Sequence, residues 1–171
     1  MQIRVSPEVG AVLDQAETIC LRRGGVYVGV EHLFEALVCD ARQLPGPLQA
    51  HAGLFHAAVE RVYRDGWRGR MPETSGEIFH TPRCAAMVHE AARLASRLRS
   101  KDTLAGHVLL ALLADAHCAP CRALDAMGCD RGALLIALRD SLAAPRVGAA
   151  LPSQTARPAA TSRASRGACA R

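Results

Sequence analysis

The chain has 171 residues, of which 50% are apolar and only 4% aromatic, and its formal net charge is +5. This length suffices for one domain with a substantial core, and the prevalence of alanine and leucine favours packed helices over a β-sheet. Residues 1–143 balance sixteen basic against sixteen acidic side chains. The surplus charge lies in residues 144–171, which excludes a basic nucleic-acid-binding face on the rest of the chain.

The first predicted helix begins at Pro7, with Ser6 as its N-cap, because proline is well suited to the first helical position and serine to the cap. It ends at the pair Gly24–Gly25, since glycine favours the left-handed conformation found after helices. Apolar residues at helical spacing form its buried stripe: Val9, Val12, Leu13, Ala16 and Ile19.

Three further helices are predicted in this first unit. The second spans residues 30–38, the third lies between Pro45 and Gly53, and the fourth spans about residues 55–65. Residues 66–80 contain three glycines and a proline, so we interpret them as a connector.

Beyond the connector the whole pattern occurs a second time, displaced by 75 residues. Residues 6–65 form repeat one and residues 81–142 form repeat two. We therefore predict an all-α fold of two four-helix repeats, eight helices in total, related by a pseudo-twofold axis. Three matched pairs are interpreted as the framework of the repeat: Pro7 with Pro82, His32 with His107, and Gly53 with Gly128.

The last segment differs in composition from the repeats. Residues 144–171 consist almost entirely of alanine, proline, serine, threonine, glycine and arginine. Too little apolar surface is available there to offset chain entropy, so we expect disorder. The predicted organisation is a repeat domain at residues 1–143 and a disordered basic tail at residues 144–171.

No targeting or membrane segment is identified in the sequence. The opening MQIRVSPEVG lacks the apolar stretch of a secretory signal, and the longest apolar run, at residues 104–114, is too short to span a bilayer. We expect a cytoplasmic protein with no membrane partner, whose cysteines are mostly reduced.

The second helix of each repeat carries the residues by which the chain resembles a known family. Residues 28–37 read V-G-V-E-H-L-F-E-A-L, and residues 105–113 read A-G-H-V-L-L-A-L-L. Both are similar to the G-T-E-H-L-L-L-A-L motif of the Clp N-terminal (Clp repeat) domain, which is also duplicated at this spacing.

In that family the domain precedes AAA+ ATPase modules and captures substrates or adaptor proteins. The present sequence has a single lysine, Lys101, and no G-x-x-x-x-G-K-[ST] loop, which excludes ATP hydrolysis by these residues. The resemblance therefore implies a non-catalytic module without a cofactor. Its partners would be substrate proteins, adaptor proteins or a Clp ATPase in chaperone-linked proteolysis.

The resemblance also implies a role for Glu31. In some members of the family the motif glutamate helps to bind phosphorylated arginine on substrates, and Glu31 matches that glutamate, whereas repeat two has Gly106. The alternative is an acid that is merely favourable near a helix N-terminus. His32 and His107 are interpreted as hydrogen-bonded core imidazoles rather than catalytic or metal-binding groups.

The connector supplies the other candidate binding residues. An apolar seam between two similar units offers a concave place for an extended peptide or an adaptor helix. Four apolar connector residues are expected near that seam: Trp67, Met71, Ile78 and Phe79. They either bind a partner or simply cover the seam.

Catalytic and metal sites are not predicted. Cys118 and Cys121 form a C-x-x-C pair, but zinc needs four converging ligands and no second such pair exists in the sequence. No G-x-S-x-G motif is present either. Two alternatives to the interaction module remain: a nucleic-acid-associated regulator that uses the basic tail, and a decayed fragment of a longer Clp ATPase.

Overall fold

The computed structural model describes residues 6–66 and 78–143. The described residues form eight α-helices and two strands of two residues each. In chain order they are α1 (Pro7–Arg22), β1 (Tyr27–Val28), α2 (Val30–Val38), α3 (Gly46–Gln49), α4 (Ala52–Gly66), β2 (Phe79–His80), α5 (Pro82–Arg97), α6 (Ala105–Ala114), α7 (Ala119–Ala126) and α8 (Arg131–Ala143). The all-α prediction of two four-helix repeats is confirmed. The predicted disorder of the tail lies outside the described residues.

The first helix of each repeat begins with the same cap. The hydroxyl of Ser6 accepts a hydrogen bond from the Val9 N–H at 3.3 Å, and the hydroxyl of Thr81 accepts one from the Cys84 N–H at 3.2 Å. Proline follows the cap in both helices. After α1, Gly24 has a φ of 76°, so the chain turns where the glycine pair predicted.

The prediction that Gly53 ends the third helix is wrong. The helix α3 ends at Gln49, and Gly53 lies in the first turn of α4. The four residues of α3 are enough to bury Leu48, so the chain turns earlier than in repeat two. Gly128, by contrast, follows α7 with a φ of 73°, as predicted for a helix end.

Two backbone hydrogen bonds relate the repeats by a pseudo-twofold. The Ser6 N–H donates to the Thr103 carbonyl at 3.3 Å, and the Thr81 N–H donates to the Val28 carbonyl at 3.0 Å. Each bond joins the cap of one repeat to the segment before the second helix of the other. Because α1 also packs on α6, α5 on α2, α3 on α8 and α4 on α7, the repeats interlock.

The two repeats share one hydrophobic core centred on α2 and α6. Almost every residue of α2 is buried, and Phe34 packs edge to face on Phe55 of α4 with ring centroids 5.9 Å apart. In α6 the run from His107 to Leu113 is buried. Among the described helices, none has the length and hydrophobicity needed to cross a bilayer.

Candidate functional site

The link between the repeats carries an exposed aromatic pair. Phe79 in β2 lies beside Tyr27 in β1, because the two strands pair in parallel with these residues in register. The ring centroids are 6.0 Å apart, and the two residues remain 50% and 52% exposed. Ile78 is partly buried and packs against the core. Trp67 and Met71, the other two candidates of the connector, lie outside the described residues.

A polar contact fastens this link to the helical framework. The imidazole Nε2 of His80, the second residue of β2, lies 2.8 Å from Oε1 of Glu17 on α1. The backbone adds two bonds, from the Phe79 N–H to the Val26 carbonyl and from the Thr81 N–H to the Val28 carbonyl. The strand β2 is therefore bonded both to β1, through its backbone, and to α1, through His80. These bonds fix the position of the aromatic pair on the surface.

Glu31 lies in the first turn of α2, and its side chain is 23% exposed. Its carboxylate folds over the Gly29 backbone, where an added Cβ would overlap it, and Oε1 lies 3.5 Å from Nδ1 of His32. The charge also reaches the start of α5. Burial, with a smaller contribution from Glu31, raises the pKa of the Cys84 thiol to about 11.

Repeat two is built differently at the position equivalent to Glu31. Gly106 supplies no carboxylate, and a Cβ placed there would come within 2.8 Å of Cδ2 of Leu142 on α8. An apolar side chain therefore occupies the space beside the start of α6. Of the two repeats, only repeat one carries an acid at this position.

The two matched histidines have the same role in their helices. Nδ1 of His32 accepts the Gly29 N–H, and Nδ1 of His107 accepts the Leu104 N–H, each at 3.0 Å. Both rings are fully buried. Because Nδ1 is the acceptor, the ring proton resides on Nε2. Burial lowers the pKa of His32, and the charge of Glu31 opposes this shift.

Cys118 and Cys121 are buried at the start of α7 and contact the end of α6. The Cys121 thiol donates to the Leu112 carbonyl at 3.1 Å, and the Cys118 thiol lies 3.6 Å from the same oxygen. The hydrogen bond with Cys118 and burial raise the pKa of Cys121. Within residues 6–66 and 78–143, no three potential ligands are placed to hold a metal ion.

The structure also contains a buried charged cluster that sequence reasoning missed. Glu35 on α2 is 8% exposed and accepts hydrogen bonds from Arg22 at 3.1 Å and from Arg23 at 3.1 and 3.2 Å. The Arg23 guanidinium lies 3.9 Å above the Tyr63 ring and 3.7 Å from Glu60. Burial and the charge of Glu35 raise the pKa of Tyr63.

The repeat alignment contained the signal for this cluster. Glu35 aligns with Leu110, so an acid in repeat one stands where repeat two has a buried leucine. An acid at a core position needs a cationic partner, because an unpaired buried charge is costly. Helical periodicity alone could not identify that partner, since Arg22 and Arg23 lie at the end of another helix, α1.

No protein-family model and no curated protein matches the sequence. Among solved structures, the chain is similar to the N-terminal domain of the caseinolytic protease-associated chaperone ClpD from Arabidopsis thaliana. The TM-score is 0.63 at 15% sequence identity, and the match covers 81% of this chain and 97% of that one. At this identity the likeness is one of fold.

Proposed function

The chain has the fold of a Clp N-terminal domain, and we propose that it is a non-catalytic module that binds other proteins. The exposed pair of Tyr27 and Phe79 carries this proposal. Two large, half-exposed aromatic side chains at the junction of the repeats are typical of a protein-binding surface, because their burial by a partner contributes favourably to the binding free energy. Ile78, the residue before Phe79, is partly buried and packs against the core.

The proposed partners are substrate proteins or adaptors of a Clp ATPase in chaperone-linked proteolysis. Support comes from the duplicated helix motif and from a solved neighbour that is itself a domain of a protease-associated chaperone. A non-catalytic role is supported by the use of His32 and His107 in backbone hydrogen bonds, which leaves both imidazoles inside the core.

The experiment is a pull-down from cytoplasm of the source organism with the full chain as bait. The test variant replaces Tyr27→Ser together with Phe79→Ser, and the matched control replaces Leu21→Ser, which removes an apolar side chain that is 55% exposed elsewhere. We expect Clp subunits, adaptors or substrates on the wild-type and control columns, and about tenfold less on the test variant.

Two results would overturn the proposal. One is a wild-type column that retains no Clp subunit, adaptor or substrate protein. The other is equal capture by the wild type and by the Tyr27→Ser, Phe79→Ser variant, provided that circular dichroism gives both the same helix content.

A further inference from the structure

A second apolar surface lies in repeat two, away from the aromatic pair. It is a groove of about 330 Å³ between α5, α6 and α8, open to solvent on one side. Its apolar lining consists of Ala114 and five larger side chains, Leu94, Leu98, Leu110, Leu135 and Ile136. Ile136 is 64% exposed, the highest value among the large apolar residues that the structure describes.

The equivalent positions in repeat one carry polar side chains. With the 75-residue offset, Leu98, Leu110 and Leu135 correspond to Arg23, Glu35 and Glu60. In repeat one these three long polar side chains meet, and Arg23 bridges the two acids. In repeat two, leucines stand at these three positions and line the groove.

Two arginines, Arg97 and Arg139, lie at the rim of the groove. Repeat two lacks an acid equivalent to Glu35, which pairs with an arginine in repeat one. Arg97 corresponds to Arg22, which pairs with Glu35 at 3.1 Å. Since Leu110 stands in place of Glu35, Arg97 has no acidic partner among the described residues, and the same holds for Arg139 across the groove. Both arginines are exposed. An occupant that complements this surface brings carboxylates next to an apolar side chain.

We propose that this groove binds a short segment of a partner protein in which a large apolar side chain is flanked by Asp or Glu. The apolar side chain fills the space between Leu98 and Leu135, and a carboxylate pairs with Arg97. The inference rests on the proposed interaction function and names a second surface with its own chemistry. The basic tail does not meet this description, because residues 144–171 contain five arginines and no acid.

The probe is a display library of random peptides of about twelve residues, selected against the full chain. The counter-selection variant carries Arg97→Glu and Ile136→Ser, both at exposed positions whose exchange leaves the core intact. We expect enriched peptides to share one bulky apolar residue flanked by Asp or Glu. A synthetic copy of the strongest peptide should bind at least tenfold more tightly to the wild type than to the variant.

Three controls make the test specific. A peptide with Asn and Gln in place of its acids should bind at least fivefold more weakly, and added salt should reduce this difference. Arg122→Glu, a charge reversal at another exposed site, should leave binding unchanged. Tyr27→Ser with Phe79→Ser should also leave peptide binding unchanged, because those residues belong to the other surface.

The proposal is overturned if enriched peptides lack the acidic and apolar pattern, or if the groove variant binds them as the wild type does. It is also overturned if sedimentation velocity shows a dimer that Ile136→Ser abolishes, because the occupant is then a second copy. The groove can fail these peptide tests while the pull-down of partner proteins still depends on Tyr27 and Phe79. In that case the inference about the groove is wrong and the proposed function stands.

Discussion

Gly24 and Arg99 occupy the same left-handed backbone position after the first helix of each repeat, with φ angles of 76° and 55°. In both turns the next residue closes the helix: the Gly25 N–H donates to the Cys20 carbonyl and the Ser100 N–H to the Ala95 carbonyl, each at 2.9 Å. In repeat two, Arg99 therefore adopts the left-handed conformation that glycine adopts in repeat one, and its Cβ makes this conformation sterically unfavourable.

This conformational cost predicts a stabilising substitution. Arg99→Gly should raise the free energy of unfolding by about 1 kcal/mol, and Gly24→Ala should lower it by about the same amount. Urea denaturation followed by circular dichroism measures both changes. As a control, Arg122→Gly, inside α7, should lower the free energy of unfolding by about 1 kcal/mol. A destabilised Arg99→Gly variant would contradict the prediction.

The buried acid of repeat one predicts a coupled pair of substitutions. Glu35→Leu should lower the free energy of unfolding by about 2 kcal/mol, because the partly buried Arg23, whose side chain is 27% exposed, loses its closest carboxylate. Adding Arg23→Leu copies the leucines of repeat two and should recover at least half of that loss.

The control for this pair is Arg93→Ala, which removes an exposed ion pair with Glu90 and should change the free energy of unfolding by less than about 0.5 kcal/mol. Chemical denaturation gives the free energy of unfolding of four proteins: the wild type, Glu35→Leu, Glu35→Leu with Arg23→Leu, and the control Arg93→Ala. If the double variant is less stable than Glu35→Leu alone, the two residues are not coupled as described.

His32 predicts how stability depends on pH. Its folded pKa is depressed below the ordinary value of 6.5, chiefly by burial, so the folded state favours the neutral ring. The unfolded chain then binds the extra proton, so the contribution of His32 to the free energy of unfolding is fully present well above pH 6.5 and declines as the pH falls through that value. The slope for one proton is at most about 1.4 kcal/mol per pH unit.

His32→Gln tests this dependence, because glutamine at this helix position can still accept the Gly29 N–H but does not titrate. In the His32→Gln variant, the free energy of unfolding should fall less steeply between about pH 7.5 and 5.5. The difference in slope corresponds to the uptake of up to one proton on unfolding. His89→Gln, at an exposed site, should keep the wild-type slope. Parallel curves for the wild type and His32→Gln would refute the assignment.

The cysteines predict an order of chemical reactivity. Cys39 is exposed, whereas Cys84 is buried and has its pKa raised to about 11, so at pH 8 only about one Cys84 in a thousand is a thiolate. Iodoacetamide should therefore alkylate Cys39 at least about a hundredfold faster, as followed by mass spectrometry of peptides. In guanidinium chloride the two rates should converge. Comparable rates in the native protein would show that Cys84 is accessible.

Local sequence determined most of the helical framework. The caps at Ser6 and Thr81 and the turn at Gly24 depend on backbone preferences of a few neighbouring residues, so they could be predicted without knowing any distant contact. The duplicated motif in α2 and α6 likewise predicted which helices occupy the core. Gly53 was misjudged because the length of α3 is set by how soon Leu48 reaches that core.

Tertiary structure alone decided the surfaces. Tyr27 and Phe79 are far apart in sequence and meet only because β1 and β2 pair. Glu35 and Leu110 occupy equivalent positions of the two repeats, yet Glu35 pairs with arginines at the end of α1 whereas Leu110 lines a groove. The sequence determined which positions are apolar and where helices begin and end, since both follow from local preferences. Whether side chains fill the space between helices depends on packing between residues distant in sequence. The two repeats differ in this respect: repeat one has a charged cluster and repeat two has a groove.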